Sequence, residues 1–284
     1  MYTQEITRTH RAAFVLLLDR SASMQQQVRF GNMIASKTEV VAYTANALIT
    51  ELMDRCRRTD GIRNYYDVAV LGYCGERVES LLHTEGFASI KELMAKIPPT
   101  TSISFTNSLD DGSQILTHHH QKCWIEPLAE GTTPMYEALH KAYNLVQEWC
   151  EQPQNQDSFP PIVINITDGE PTDCDDNDLR DVCTLIKRTE TSDGNTLLIN
   201  IHLCSDHTMQ SVIFPRHDEI IYANHKARLL ADCSSIMPAA LNVAIHELKG
   251  LGATPPYIGM GYNASVVELL SMINIGSRSI TQLE

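Results

Sequence analysis

Three short segments of this chain carry side-chain oxygens in patterns that suit a hard cation. Asp19-Arg20-Ser21-Ala22-Ser23 sets one carboxylate and two hydroxyls at alternate positions. Gly131-Thr132-Thr133-Pro134 offers two hydroxyls just before a proline, and Thr167-Asp168-Gly169-Glu170 adds a second carboxylate. Carboxylates and hydroxyls are hard donors of the kind Mg²⁺ and Mn²⁺ take, both favouring octahedral oxygen coordination. An aspartate followed by serines has a plainer use as well, capping backbone amides in a tight loop.

The surrounding pattern gives these segments a common position. Residues 12–18 form an unbroken apolar run ending at Asp19, and residues 161–167 form another ending at Asp168. Such runs mark strands buried on both faces of a parallel sheet. Residues 65–73 and 197–203 read as further strands. Apolar positions recurring at i, i+4 predict a helix over 33–56, and shorter helices are expected at 87–97, 134–150, 176–190 and 238–249. The helix at 134–150 is expected to open with Thr133 as its cap and Pro134 as its first residue. A last helix near 265–274 would use Ser265 and Glu268 as a capping box. Residues 100–128 lack a helical period and read as a loop, with a hairpin turning at Asp111-Gly112. Strands alternating with helices predict an α/β, Rossmann-like fold: a mainly parallel sheet with helices on both faces. One domain over residues 1–284 is expected, with a core at about 12–204 and a helical extension at about 205–284. Ligands of such sheets bind at the carboxyl ends of the strands, where the three oxygen-bearing segments fall.

Asp-x-Ser-x-Ser after the first strand, Gly-Thr-Thr-Pro before a helix, and Thr-Asp-Gly after a later strand together resemble the metal-ion-dependent adhesion site of the von Willebrand factor A (VWA) family. The resemblance spans residues 12–204. It implies that Ser21, Ser23 and Thr133 give hydroxyl oxygens directly to one Mg²⁺ or Mn²⁺, while Asp19 and Asp168 hold it mainly through waters. It further implies that an Asp or Glu of a partner protein completes the coordination, and that the helix starting at Pro134 turns its positive end to the same place. Thr132 stands where many relatives have a second glycine, so Thr132 competes with Thr133 as the third hydroxyl; Thr133, directly before Pro134, is favoured. Within the family the chain is most similar to stand-alone bacterial-type domains related to the tellurium-resistance TerY type, which accompany serine/threonine kinases and phosphatases in signalling and stress response.

Composition narrows the field. With 35 acids against 22 bases the net charge is −13, which opposes a nucleic-acid partner, since phosphate binding needs a clustered basic face. No apolar run reaches the 18 or so residues that a membrane span needs, and 12–18 is not a signal peptide. Eight irregularly spaced cysteines suit free thiols in the cytoplasm better than a disulfide framework, which opposes an extracellular adhesin. The rival reading is a phosphohydrolase with Asp19 as nucleophile. Such enzymes usually carry an acid two residues later; Ser21 stands there and cannot shuttle a proton. Other features read as structural. The acids from Asp168 to Asp181 suit a loop and a first helical turn, His118-His119-His120 and His140 suit surface or packing positions, and Gly259-Met-Gly261 suits a loop entering a helix.

Overall fold

In chain order the strands are β1 (Ala12–Asp19), β2 (Gln27–Phe30), β3 (Met33–Ser36), β4 (Tyr66–Cys74), β5 (Arg77–Ser80), β6 (Thr100–Ser108), β7 (Gln114–Lys122), β8 (Ile162–Thr167), β9 (Leu197–His202), β10 (Val212–Ile213) and β11 (Met260–Tyr262), short two-residue ladders aside. The main helices are α1 (Lys37–Cys56), α2 (Ile90–Ala95), α3 (Met135–Glu151), α4 (Asp176–Arg188), α5 (His225–Cys233) and α6 (Asn242–Lys249). This computed structural model describes residues 2–30, 33–108, 113–203, 211–220, 223–250, 252–264, 268 and 270–272.

The apolar runs form the centre of one sheet ordered β10-β11-β9-β8-β1-β4-β5, with residues 88–89 also pairing β4. The pairs β1–β8, β1–β4, β8–β9 and β9–β11 are parallel; β10 and β5 close the two sides antiparallel. Every residue of β1, β4, β8 and β9 is buried, because alternate side chains meet helices on opposite faces. Phe14, Leu16 and Leu18 pack against Val40, Leu48, Ile49 and Leu52 of α1. Val15 and Leu17 pack against Met135, Leu139 and Val146 of α3. The expected mainly parallel sheet with helices on both faces is therefore the observed one. Among the described residues no helix is long and apolar enough to cross a membrane, and the seven described cysteines are free; Cys204 lies outside the described residues.

Several local expectations are corrected. The helix predicted from residue 33 starts at Lys37, because Ser36 and Glu39 form a capping box there. Residues 33–36 are instead β3, paired with β2 as a hairpin. The hairpin expected within residues 100–128 is present but much longer than a turn in a loop: Thr100–Ser108 (β6) and Gln114–Lys122 (β7) pair along their whole length, and β6 joins β3, giving a second sheet ordered β7-β6-β3-β2. The Asp111-Gly112 turn and the Ser265 cap lie outside the described residues. Gly259–Gly261 does not lead from loop to helix: Met260–Tyr262 is β11, parallel to β9. The stretch beyond residue 204 thus adds two strands to the main sheet as well as helices.

A single buried side chain anchors the return from the inserted hairpin. Asn46 of α1 donates from Nδ2 to the Ile125 carbonyl (2.8 Å), and its Oδ1 accepts from the amides of Trp124 and Ile125 (2.9 Å each). Asn46→Ala leaves these groups unpaired, each at a cost of about 1–3 kcal/mol. Urea denaturation is expected to register a loss of about 3 kcal/mol.

Candidate functional site

The chain leaves β1 through α1 to β4 on one side, and later reaches β8 on the other side through α3. The strand ends therefore part between β1 and β8, and that crevice is where doubly wound sheets bind ligands. Asp19 ends β1, and Asp168 follows directly on β8. Asp19 is fully buried. Its Oδ1 accepts the Ser21 amide at 2.8 Å and its Oδ2 accepts the Thr167 hydroxyl at 2.6 Å. Burial raises the Asp19 carboxyl above the usual range, and the bonds from Ser21 and Thr167 pull it back.

Ser21, the residue before a turn of 3₁₀ helix (Ala22–Gln25), is buried, and its hydroxyl lies 3.1 Å from that of Ser23. Ser23 in turn donates to Asp168 Oδ1 at 2.7 Å. Four of the five expected residues are therefore linked into one network from both strand ends, with Thr167 as the bridge.

The fifth, Thr133, is buried on a loop stitched to the same rim. Gly131 and Arg20 carbonyls accept from the Ala22 and Glu130 amides at 3.0 and 2.8 Å, and the Thr133 carbonyl accepts from the Thr172 amide at 3.0 Å. The Thr132 hydroxyl is already used, donating to the Gly75 carbonyl at 2.9 Å. That of Thr133 has no hydrogen-bond partner among the described residues. Gly131 makes this approach possible: its φ is +68°, and a Cβ would stand 2.8 Å from Gly75 Cα and N. Two expectations for α3 change. Thr133 does not cap it, since Pro134 occupies the cap position with no side-chain bond. The free amides of Tyr136 and Glu137 donate instead to the Asp173 carboxylate at 3.1 and 3.0 Å, so the positive end of α3 is already partly satisfied by an acid of this chain.

Lys37 is the residue that sequence reasoning missed. Its ammonium lies 2.5 Å from Asp168 Oδ2 and 2.9 Å from Gln26 Oε1, and the Lys37 and Asp168 side chains are only 4% and 2% exposed. A signal was present: a cation in the first position of a helix opposes the helix dipole, so a lysine there asks for an acid elsewhere. That acid is 131 positions away.

His202 ends β9 beside Thr167, stacked on Tyr262 with centroids 5.2 Å apart. Neither ring nitrogen has a partner among the described residues. Elsewhere, Asp175 caps α4, as expected of the acid run. His140 packs between Tyr136 and Tyr143. His118 and His120 are exposed, whereas His119 packs on Tyr43 and Phe105.

Chemically, the crevice holds two carboxylates, the four hydroxyls of Ser21, Ser23, Thr133 and Thr167, and one ammonium. Among the described residues no three His, Cys, Asp or Glu side chains group as metal ligands; the donors here are mostly hydroxyls. The donor types fit a hard cation, hydroxyl and carboxylate oxygens all, and the Thr133 hydroxyl has no hydrogen-bond partner among the described residues. It suits an Asp19 nucleophile poorly, since that carboxylate is buried and hydrogen-bonded at both oxygens.

No protein-family model and no curated protein sequence matches the chain. Solved structures are similar at low identity. The von Willebrand factor type A protein from Catenulispora acidiphila aligns over 69% of this chain and 34% of its own, at 14% identity and TM-score 0.41. For the SpRpn10 VWA domain the figures are 70%, 77%, 10% and 0.41. For three N-terminal domains of the type V pili tip protein Mfa5 from Porphyromonas gingivalis they are 57%, 20%, 12% and 0.32. The chain thus spans about a third of the first protein and a fifth of the last.

Gly131→Ala is expected to cost about 2 kcal/mol in urea denaturation, from overpacking against Gly75 plus a disfavoured φ. Burial drives the His202 imidazole from 6.5 down to about 4, so on acidification the unfolded chain takes up this proton first. Its contribution to stability is whole above 6.5 and is lost as the pH falls through about 4. At about 1.36 kcal/mol per unit, the loss reaches roughly 3 kcal/mol. His202→Phe, which keeps a ring against Tyr262, should flatten the stability profile over that range.

Proposed function

We propose that this chain is a metal-dependent protein-interaction module that captures an aspartate or glutamate of a partner protein. The supporting observation is the Ser23 hydroxyl, held between Ser21 and Asp168 at the β1/β8 crevice, with Asp19 fixed behind it by Thr167. Ser21, Ser23 and Thr133 would hold a Mg²⁺ or Mn²⁺ ion through their hydroxyls, and Asp19 and Asp168 would serve as hydrogen-bond acceptors around it. When bound, the ion supplies a concentrated positive charge that a partner carboxylate can meet.

This chain's own residues set the conditions for that contact. Asp19 is held in place from both sides, so it orients the 19–23 loop without facing solvent. Thr133 is presented by a loop that Gly131 and Thr172 pin to the same rim. The chain carries a net charge of −13, which on average repels an acidic partner, so a localised cation would supply the attraction at this rim. The similarity to TerY-type domains extends the proposal to a cytoplasmic setting, with a serine/threonine kinase or phosphatase as the partner.

Mn²⁺ titration calorimetry provides the test. The wild type is expected to bind one equivalent, and Ser23→Ala and Thr133→Ala at least tenfold more weakly. A partner that co-purifies in Mg²⁺ should be released by a chelator. No heat of binding in the wild type, or unchanged affinity in both variants, would refute the proposal.

A further inference from the structure

The side chain nearest to acting as an ion in this crevice belongs to the chain itself. Lys37 Nζ sits on Asp168 Oδ2 at 2.5 Å, while the other oxygen of that carboxylate takes the Ser23 hydroxyl at 2.7 Å. Asp168 is thus engaged at both oxygens, one of them by a full positive charge. The contact is built, not incidental. The Lys37 amide donates to the Gln26 carbonyl at 3.0 Å, and the Gln26 side chain accepts from Nζ at 2.9 Å. The β2–β3 hairpin between them therefore closes with both partners aimed at the crevice, and the capping box of Ser36 and Glu39 fixes the adjoining turn.

Two cations cannot share this carboxylate at short range. An ion bound through Ser23 and served by Asp168 would stand beside the ammonium in a buried setting, where like charges repel strongly. We infer that Lys37 is a tethered competitor for the cation site: it neutralises Asp168 when no ion is bound, and a divalent ion enters only by displacing it. The inference rests on the metal reading above and adds what regulates it. Because the Lys37 backbone is pinned at its amide and by the cap, displacement is a rotation of the side chain. A monovalent ion merely exchanges one unit charge for another and gains nothing; a divalent ion brings an extra charge to a site with two carboxylates. The tether therefore selects for divalent ions and lowers their apparent affinity, by mass action against a permanently attached cation.

The test is Mn²⁺ binding to the full chain, followed by electron paramagnetic resonance of the free ion. Lys37→Met is expected to bind at least tenfold more tightly than wild type, with its melting temperature lowered in chelator and restored by Mn²⁺. Equal affinities would overturn the tether and leave the metal site standing; no binding by either protein would remove both. Should Lys37→Met fail to fold, wild type labelled with ¹⁵N-lysine serves instead. The buried Nζ resonance, assigned by its loss in Lys37→Arg, is expected to shift on Mg²⁺ saturation. A resonance unmoved, while uniformly ¹⁵N-labelled wild type shows the Ser21 and Ser23 amides shifting in the same Mg²⁺ titration, would refute displacement.

Discussion

A carboxylate buried at the end of a parallel strand must find compensation inside the protein, and the Asp168 carboxylate governs how this rim is built. Its side chain is 2% exposed, and an unpaired charge at such burial costs several kcal/mol. The compensation comes from two directions: the Ser23 hydroxyl from the loop after β1, and the Lys37 ammonium from the start of α1. Asp19, buried more deeply, has no such ion pair among the described residues. It is held by an amide and a hydroxyl, the hydroxyl being that of Thr167, the residue just before Asp168. One strand end thus restrains the other, and the crevice between β1 and β8 is fixed by hydrogen bonds that run across it.

The insertions of the fold serve the same rim. The β2–β3 hairpin interrupts the passage from the 19–23 loop to α1, and its base sets Gln26 beside Lys37. The β6–β7 hairpin extends that small sheet, and the segment returning from it is tied to α1 by Asn46 and by Thr38, whose hydroxyl engages Leu128 at both its amide and carbonyl. The chain then passes directly into the loop that carries Gly131 and Thr133. Side chains of α1 thus satisfy the backbone of the segment that leads into this loop.

Electrostatics separates the parts of this surface. Asp173 satisfies the first amides of α3, so the dipole of that helix is directed partly to an acid of the chain itself. Lys37 performs the opposite service at α1, where its charge opposes the helix but meets Asp168. The protein carries a net charge of −13, and the Lys37 ammonium lies deeply buried at the strand-end crevice. The general negative charge favours a cation at this crevice, whereas the Lys37 ammonium already beside Asp168 opposes one.

Much of this was legible in the residues alone. Continuous apolar runs ending in Asp19 and Asp168 specify buried parallel strands, because only a strand covered on both faces tolerates such sequence, and strand ends in these sheets lie on one rim. The oxygen-bearing motifs were legible for the same reason: each is local, a few residues after a strand or before a helix. The hairpin at 27–36 escaped notice because Met33–Ser36 is apolar enough to extend the helical period, and only the Ser36 cap interrupts it. The strand at 260–262 is three residues long and is strand only because β9 lies beside it. Lys37 and Asp168 show the limit most plainly. Each sits in its own segment with ordinary local chemistry, and no periodicity links positions so far apart. Their pairing exists only once β1, β8 and α1 have packed, since it is burial at that junction that turns a lysine and an aspartate into partners.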